Sequence, residues 1–108
     1  MITVRESAER SRFEVLEGDE VVGFAVYHVE DGRVALPHTE VDPAHQHRGL
    51  ASELVRIALD TARDRGQQVL PYCPFIATYI RRHPAYLDLV PRAERATFGL
   101  VAVPDREG

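Results

Sequence analysis

The chain has 108 residues, of which 44% are hydrophobic and 28% charged, and its formal net charge at pH 7 is -4. This composition predicts one soluble globular domain over residues 1–108, with residues 104–108 as a frayed tail. The acidic balance argues against a general nucleic-acid binder, while a single cysteine, a charged N-terminus and the lack of a long apolar run predict a cytoplasmic protein without membrane association.

Three antiparallel strands are predicted in the first part of the chain. Alternating polar and apolar residues from Arg12 to Val15 predict the first strand. The nearly continuous apolar run from Val21 to Val29 predicts a second strand covered on both faces, and a third strand follows over Arg33–Val41. Turn residues at Gly18-Asp19 and Asp31-Gly32 indicate a meander.

The hydrophobic period then changes to that of a helix. Apolar residues at helical spacing from Leu50 to Ala62 predict an amphipathic helix. Gln68–Tyr72 predicts a fourth strand, parallel to the third, and Pro74 begins a second helix that ends near Arg82. Arg95–Val103 is either a final strand or an extended tail. The fold class is therefore α/β, with a mixed and mainly antiparallel sheet, two flanking helices and a strand-helix-strand crossover.

A segment of small residues lies where the third strand meets the first helix. Gly49 has no Cβ and Ala51 is nearly as small, so an anion can approach the free N–H groups and the positive dipole of the helix. Nearby positive or proton-donating groups are supplied by His45, His47 and Arg48. The alternative is that Asp42-Pro43 starts the helix and that Gly49 is an interior glycine.

Cys73 is a candidate for chemistry because it directly precedes Pro74. If Pro74 begins a helix, the thiol lies at the cap position, where the helix dipole favours a thiolate. Such a thiolate has three open roles: it accepts and passes on an acyl group, acts as a base, or lines the pocket. The alternative is a buried structural cysteine.

His38 and Glu40 are candidate proton acceptors on the third strand. In a regular strand they share one face with Val34 and Leu36. Pro37 indicates an edge or a bulge, and a bulge would change the face that His38 occupies. The alternative is that His38 bonds locally while Glu40 is solvated.

The remaining candidates carry weaker signals. The proton donors to be considered are Tyr72, Tyr79 and Tyr86, although amphipathic packing also explains each tyrosine. His45 and His47 have no cysteine or carboxylate placed to complete a ligand set, so no metal is expected.

The pattern Gln46-x-x-Gly49-x-Ala51, which opens a helix after a strand, resembles the acetyl-CoA signature of the GCN5-related N-acetyltransferases. The segments 38–41, 70–75 and 79–84 resemble the minimal branch of that superfamily. The resemblance covers about residues 10–90 and implies a transferase that moves an acetyl group from acetyl-CoA, its co-substrate, to an amine. It implies an acceptor such as a protein lysine or a small polyamine, and we expect a monomer or weak dimer.

The resemblance also implies where acetyl-CoA binds. Pyrophosphate would rest on the amides of Gln46–Ala51, and pantetheine would lie between diverging strands. The implied cofactor-binding residues are Val41, Gln46, His47, Arg48, Gly49, Leu50 and Ala51. The matching histidine and cysteine of the minimal branch flank the acetyl site, which favours His38 over Glu40 and supports Cys73. Direct transfer is the expected route, and an acetyl-enzyme at Cys73 is the alternative.

One departure from the larger superfamily concerns the acceptor. Typical members carry helices between their first two strands, whereas Phe13–Val29 leaves room only for a tight turn. The acceptor site is therefore expected to be reduced and open. A non-catalytic acyl-CoA-binding module is the alternative function, and a structural protein with Gly49 as a packing glycine is a third.

Overall fold

The computed structural model describes residues 1–100, within which five strands form one sheet in the order β1-β2-β3-β4-β5. The strands are β1 (Ile2–Ser7), β2 (Arg12–Glu17), β3 (Glu20–Glu30), β4 (Arg33–Val41) and β5 (Gln68–Leu70). Neighbouring strands are antiparallel except for β4 and β5, which are parallel. The predicted meander and crossover are confirmed. Strand β1 was not predicted. The first two strands are therefore β1 and β2, and the tight connection between them is residues 8–11.

The two predicted helices are present as α1 (Leu50–Asp64) and α2 (Pro74–Arg82). Neither is long and apolar enough to cross a membrane, and no other helix within residues 1–100 is. The end of the described chain forms short 3₁₀ turns at Pro84–Leu89, Arg92–Glu94 and Ala96–Phe98. Of the two alternatives for Arg95–Val103, a final strand is therefore wrong for residues 95–100, and an extended tail is wrong for the turn at Ala96–Phe98, while residues 101–103 lie outside the described part.

Both helices pack on the same face of the sheet. Val55 and Leu59 of α1 and Ile76 of α2 share one buried cluster with Val34 and Val69, which are paired across β4 and β5. The opposite face of β3 is only partly covered, since Phe24 is half-buried and His28 and Glu30 are exposed. The prediction that β3 is covered on both faces is therefore wrong.

A bulge in the pairing of β3 with β4 decides which side chains reach each face. Val26 pairs with His38, but His28, two residues later, pairs with Ala35, so β4 carries one extra residue. Because side chains alternate along a strand, this extra residue reverses the alternation. His38 and Glu40 consequently lie on the face opposite the helices, and Thr39 and Val41 lie on the helix side.

A buried carboxylate stabilises the open face. Glu14 is 1% exposed and accepts hydrogen bonds from Arg5 Nε at 2.9 Å and Arg12 Nε at 2.8 Å. Burial by itself raises the pKa of Glu14, but the hydrogen bonds from Arg12 and Arg5 outweigh it and hold this pKa below its ordinary value. The Arg12 guanidinium also lies over the Phe24 ring, 4.5 Å from its centroid, which joins β2 to β3.

Glu14→Gln should lower the free energy of unfolding by about 2 kcal/mol at neutral pH, because it removes one partner of a buried ion pair. A carboxyl group whose pKa is lowered in the folded state stabilises the protein above its unfolded pKa, and this contribution is lost as the pH falls through the folded pKa. The difference between the two proteins should therefore shrink below about pH 5. Urea titrations at several pH values measure it. The exposed Glu30→Gln is the control, and equal losses in both variants would contradict the role of Glu14.

Candidate functional site

The loop between β4 and α1 has a conformation set by two capping residues. Asp42 caps a short 3₁₀ turn, Pro43–His45, by accepting a hydrogen bond from the Ala44 N–H at 3.0 Å. The longer helix α1 begins only at Leu50, with Gly49 at its N-cap. Gly49 has φ +76°, in the left-handed region that side chains rarely adopt. Asp42-Pro43 therefore starts the separate 3₁₀ turn, and the alternative that it starts the long helix, with Gly49 in the interior, is wrong.

The N-terminus of α1 offers free donors to a ligand. The first helical hydrogen bond runs from the Glu53 N–H to the Gly49 carbonyl, and glycine has no side chain to cap the preceding amides. The N–H groups of Leu50, Ala51 and Ser52 therefore have no helical acceptor. This arrangement is typical of anion sites at helix N-termini.

A cavity of about 420 Å³ lies against these amides. Its lining comes from β4, from the loop and first turn of α1, and from α2: Thr39, Val41, His45, Gln46, His47, Gly49, Leu50, Ala51, Ser52 and Phe75. Six of the seven residues implied for cofactor binding thus line one cavity. Three lining residues were not predicted from the sequence: Thr39, Ser52 and Phe75. Thr39 lies two residues before Val41 on β4, so the two side chains share one face of the strand. This spacing could have predicted Thr39 as a lining residue, but only the bulge shows that the shared face is the one towards the cavity.

Arg48 is the implied binding residue that does not line the cavity. Its Nη2 atom lies 2.8 Å from Glu17 Oε1, at the end of β2. The Arg48 guanidinium, together with weaker effects of nearby positive groups, lowers the pKa of Glu17. The positive charge of Arg48 is thus paired within the protein.

Cys73 occupies the N-cap of α2, as predicted from Pro74. The thiol is buried, and its Sγ atom lies 3.7 Å from Thr39 Oγ1 on β4. The Cys73 N–H donates to the Leu36 carbonyl at 2.9 Å, so this residue is attached to β4 just beyond the last pairing of β4 with β5 at Ala35. Cys73 therefore lies at the point where the two parallel strands separate.

His38 and Glu40 form a pair on the other face of the sheet. His38 Nε2 lies 3.0 Å from Glu40 Oε1, and the two side chains are 57% and 59% exposed. The His38 ring also approaches Phe24, with centroids 6.0 Å apart. Thr39 follows His38 in the chain and contacts the Cys73 thiol, but the side chains of His38 and Thr39 leave β4 on opposite faces of the sheet.

None of the three tyrosines considered as proton donors lines the cavity. Tyr86 donates to Asp60 Oδ1 at 2.7 Å, and this hydrogen bond with burial raises the pKa of Tyr86 to about 12. Tyr79 stacks on His83 with ring centroids 4.0 Å apart, and burial raises its pKa. Tyr72 packs edge-on against Phe98. Packing thus accounts for the position of each ring.

The rest of the described structure offers no better cofactor or metal site. A larger cavity of about 610 Å³ lies on the open sheet face, where its walls include His28, Ala35 and Leu70, but it adjoins no helix N-terminus. Within residues 1–100, no three His, Cys, Asp or Glu side chains lie close enough together to hold a metal ion. The cavity at the start of α1 is therefore the candidate site.

Several solved structures have a similar fold. The ribosomal-protein-S18-alanine N-acetyltransferase of Escherichia coli is 23% identical, with 59% of this chain and 42% of that chain covered, at a TM-score of 0.53. A GCN5-like protein from Staphylococcus aureus is 15% identical over 82% of this chain and 87% of its own, at a TM-score of 0.65. Rv2747 from Mycobacterium tuberculosis, solved with coenzyme A, is 25% identical over 77% and 56%, at a TM-score of 0.54.

The family assignment comes from the sequence itself. No curated protein gives a sequence match. A family model described as GCN5-related N-acetyl-transferase matches residues 12–89, which include β2 to β5, the whole loop at the candidate cavity and both helices. The chain therefore belongs to the GCN5-related N-acetyltransferase family.

Proposed function

We propose that the chain acts as a single-domain N-acetyltransferase that transfers the acetyl group of acetyl-CoA to an amine. The observation that carries the proposal is the cavity of about 420 Å³ that joins the uncapped amides of α1 to Thr39 and Val41 on β4. A pyrophosphate group fits the free donors at one end of this cavity. The apolar edge of β4 offers a surface for pantetheine, directed towards the separation of β4 from β5.

The transfer itself needs a neutral amine aligned with the thioester. The amine nitrogen attacks the acetyl carbonyl, the carbon–sulfur bond breaks, and the coenzyme A thiolate leaves and takes a proton from water. We assign the removal of the amine proton to His38, which Glu40 orients at 3.0 Å. Cys73, whose thiol lies 3.7 Å from the cavity residue Thr39, stands beside the acyl end of the cavity in this direct route.

The acceptor reaches the thioester from the open face of the sheet in this scheme. His38, Glu40 and Phe24 lie on that face, and the connection between β1 and β2 is only residues 8–11, so no helix from it covers them. An open face suits an amine carried on a protein better than a small amine, which needs an enclosing pocket. A protein lysine is therefore the acceptor we favour over a polyamine.

Calorimetric titration with acetyl-CoA tests the binding site directly. We expect a dissociation constant of about 1 μM, together with amide chemical-shift changes concentrated at Leu50, Ala51 and Ser52. Acetyl-pantetheine, which lacks the phosphates, is the control ligand and should bind far more weakly and leave these amides unchanged. If acetyl-CoA gives no heat and moves no amide, the cofactor proposal is wrong.

The short connection between β1 and β2 favours one other function, a non-catalytic acyl-CoA-binding module. Such a module keeps the cofactor site and has no acceptor to acetylate. Turnover assays with lysine-containing peptides and with polyamines separate the two functions once binding is established. Binding without turnover on any amine would favour the module.

A further inference from the structure

The loop that binds the phosphates in our proposal has few contacts of its own. Residues 46–49 are exposed, and both His47 and Gly49 are left-handed, with φ +68° and +76°. A left-handed conformation costs about 1–2 kcal/mol at a residue other than glycine. The Gln46 side chain donates to the Val41 carbonyl at a long 3.3 Å. Another contact must therefore help to hold the strained conformation.

The ion pair between Arg48 and Glu17 is that contact. Arg48 stands between the two left-handed residues, and its guanidinium reaches Glu17 Oε1 at 2.8 Å across the end of β2. Glu17 is the last residue of a strand whose neighbours are β1 and β3, so its position is fixed by the sheet. The pair therefore attaches the exposed loop to a rigid part of the fold.

The surroundings of the carboxylate support this attachment. Glu17 Oε1 and His45 Nδ1 are both buried and neither has a hydrogen-bond partner, so Arg48 meets Oε1 as an ion pair. The N-terminal amine of Met1 lies 3.6 Å from the other carboxylate oxygen. Arg48 and, more weakly, the amine and His45 lower the pKa of Glu17, so the carboxylate is charged under ordinary conditions.

We propose that Glu17 and Arg48 anchor the 45–49 loop in its binding conformation, so that Arg48 serves acetyl-CoA binding by positioning the loop and not by contacting a phosphate. This inference rests on the proposed function. It assigns a role to Glu17, which lies outside the signature motif. It also predicts that replacing Glu17 weakens acetyl-CoA binding, which is opposite to the effect that charge repulsion alone predicts. A carboxylate near a polyanion should weaken binding, so its removal should strengthen binding if Glu17 has no positioning role.

Titration of acetyl-CoA into four variants at one ionic strength tests the anchor. We expect E17Q and R48A each to weaken binding about threefold, which is the size of a partly exposed ion pair. The double variant E17Q/R48A should be no weaker than either single variant, because the two residues act as one unit. The charge-swapped E17R/R48E should regain most of the affinity, since it restores the pair.

Two controls separate positioning from a general loss of structure. The ion pair of Arg63 with Asp88, with contacts of 2.9 Å at the other end of α1, is a matched pair, and D88N should leave binding unchanged. In the free protein, amide hydrogen exchange over residues 46–51 should be faster in E17Q and R48A, while exchange in β3 stays the same.

The possible outcomes are distinct. Tighter binding by E17Q, or a charge-swapped variant much weaker than R48A, would overturn the anchor and indicate that Arg48 contacts a phosphate. If the unmodified protein binds acetyl-CoA and E17Q behaves in that way, only the anchor fails. If the unmodified protein binds no acetyl-CoA, the proposed function fails and the anchor's role in binding fails with it.

Discussion

Gly49→Gln should weaken acetyl-CoA binding about 100-fold, which corresponds to the loss of charge-assisted hydrogen bonds from the first amides of α1. A Cβ at Gly49 meets no protein atom within 4 Å, so the added side chain enters the cavity that this residue lines. The φ of +76° also makes any side chain strained here, which should lower the free energy of unfolding by about 1–2 kcal/mol. Calorimetry and urea denaturation measure the two effects separately.

The same helix supplies a matched control for Gly49. Gly66 follows the other end of α1 and has φ +68°, and a Cβ added there would also meet no atom within 4 Å. Gly66→Gln should therefore cost similar stability without affecting acetyl-CoA binding. Gly49→Ala, with strain but little bulk, should fall between the unmodified protein and Gly49→Gln. Equal losses of affinity at Gly49 and Gly66 would show that strain alone weakens binding and that the cavity is elsewhere.

The sequence predicted most of the fold because the strongest signals were local. The helical spacing from Leu50, the stop near Gly66 and the proline at the start of α2 each depend on nearby residues. Strand β1 was missed because Ile2 and Val4 give only two apolar positions, and its partner β2 supplies the rest of its stability. The 3₁₀ turns after Pro84 depend on packing against the helices, which a single sequence does not reveal.

The site was predicted less completely because it depends on contacts between distant residues. Pro37 indicated a bulge, but only the pairing of Val26 with His38 shows that His38 and Glu40 leave the helix face. Likewise, nothing in the local sequence relates Arg48 to Glu17, which lie in different elements. The motif therefore located the loop, while the register of the sheet and one ion pair decide which side chains face the cavity.

His38→Ala should lower kcat about 100-fold while leaving the affinity for acetyl-CoA unchanged, because it removes a general base and no part of the cavity. His28→Ala is the matched control. His28 is 72% exposed, lies on the same open face, and has its own carboxylate partner, Glu30, at 3.8 Å. A loss of turnover in both variants would indicate that the open face binds the acceptor and that His38 is not the base.

Cys73→Ala then distinguishes the two routes of transfer. In direct transfer the thiol only packs against the cavity residue Thr39, so the variant should keep most of its kcat, and acetyl-CoA should leave no acetyl group on the unmodified enzyme. An acetyl-enzyme route would instead give an acetyl adduct on Cys73, visible by mass spectrometry, and no turnover in Cys73→Ala. We expect direct transfer, because His38 faces the open side of the sheet while the buried thiol faces Thr39, so an amine activated by His38 does not approach through Cys73. If neither His38→Ala nor Cys73→Ala alters turnover, both residues are excluded from the chemistry, and the acceptor amine must lose its proton without either of them.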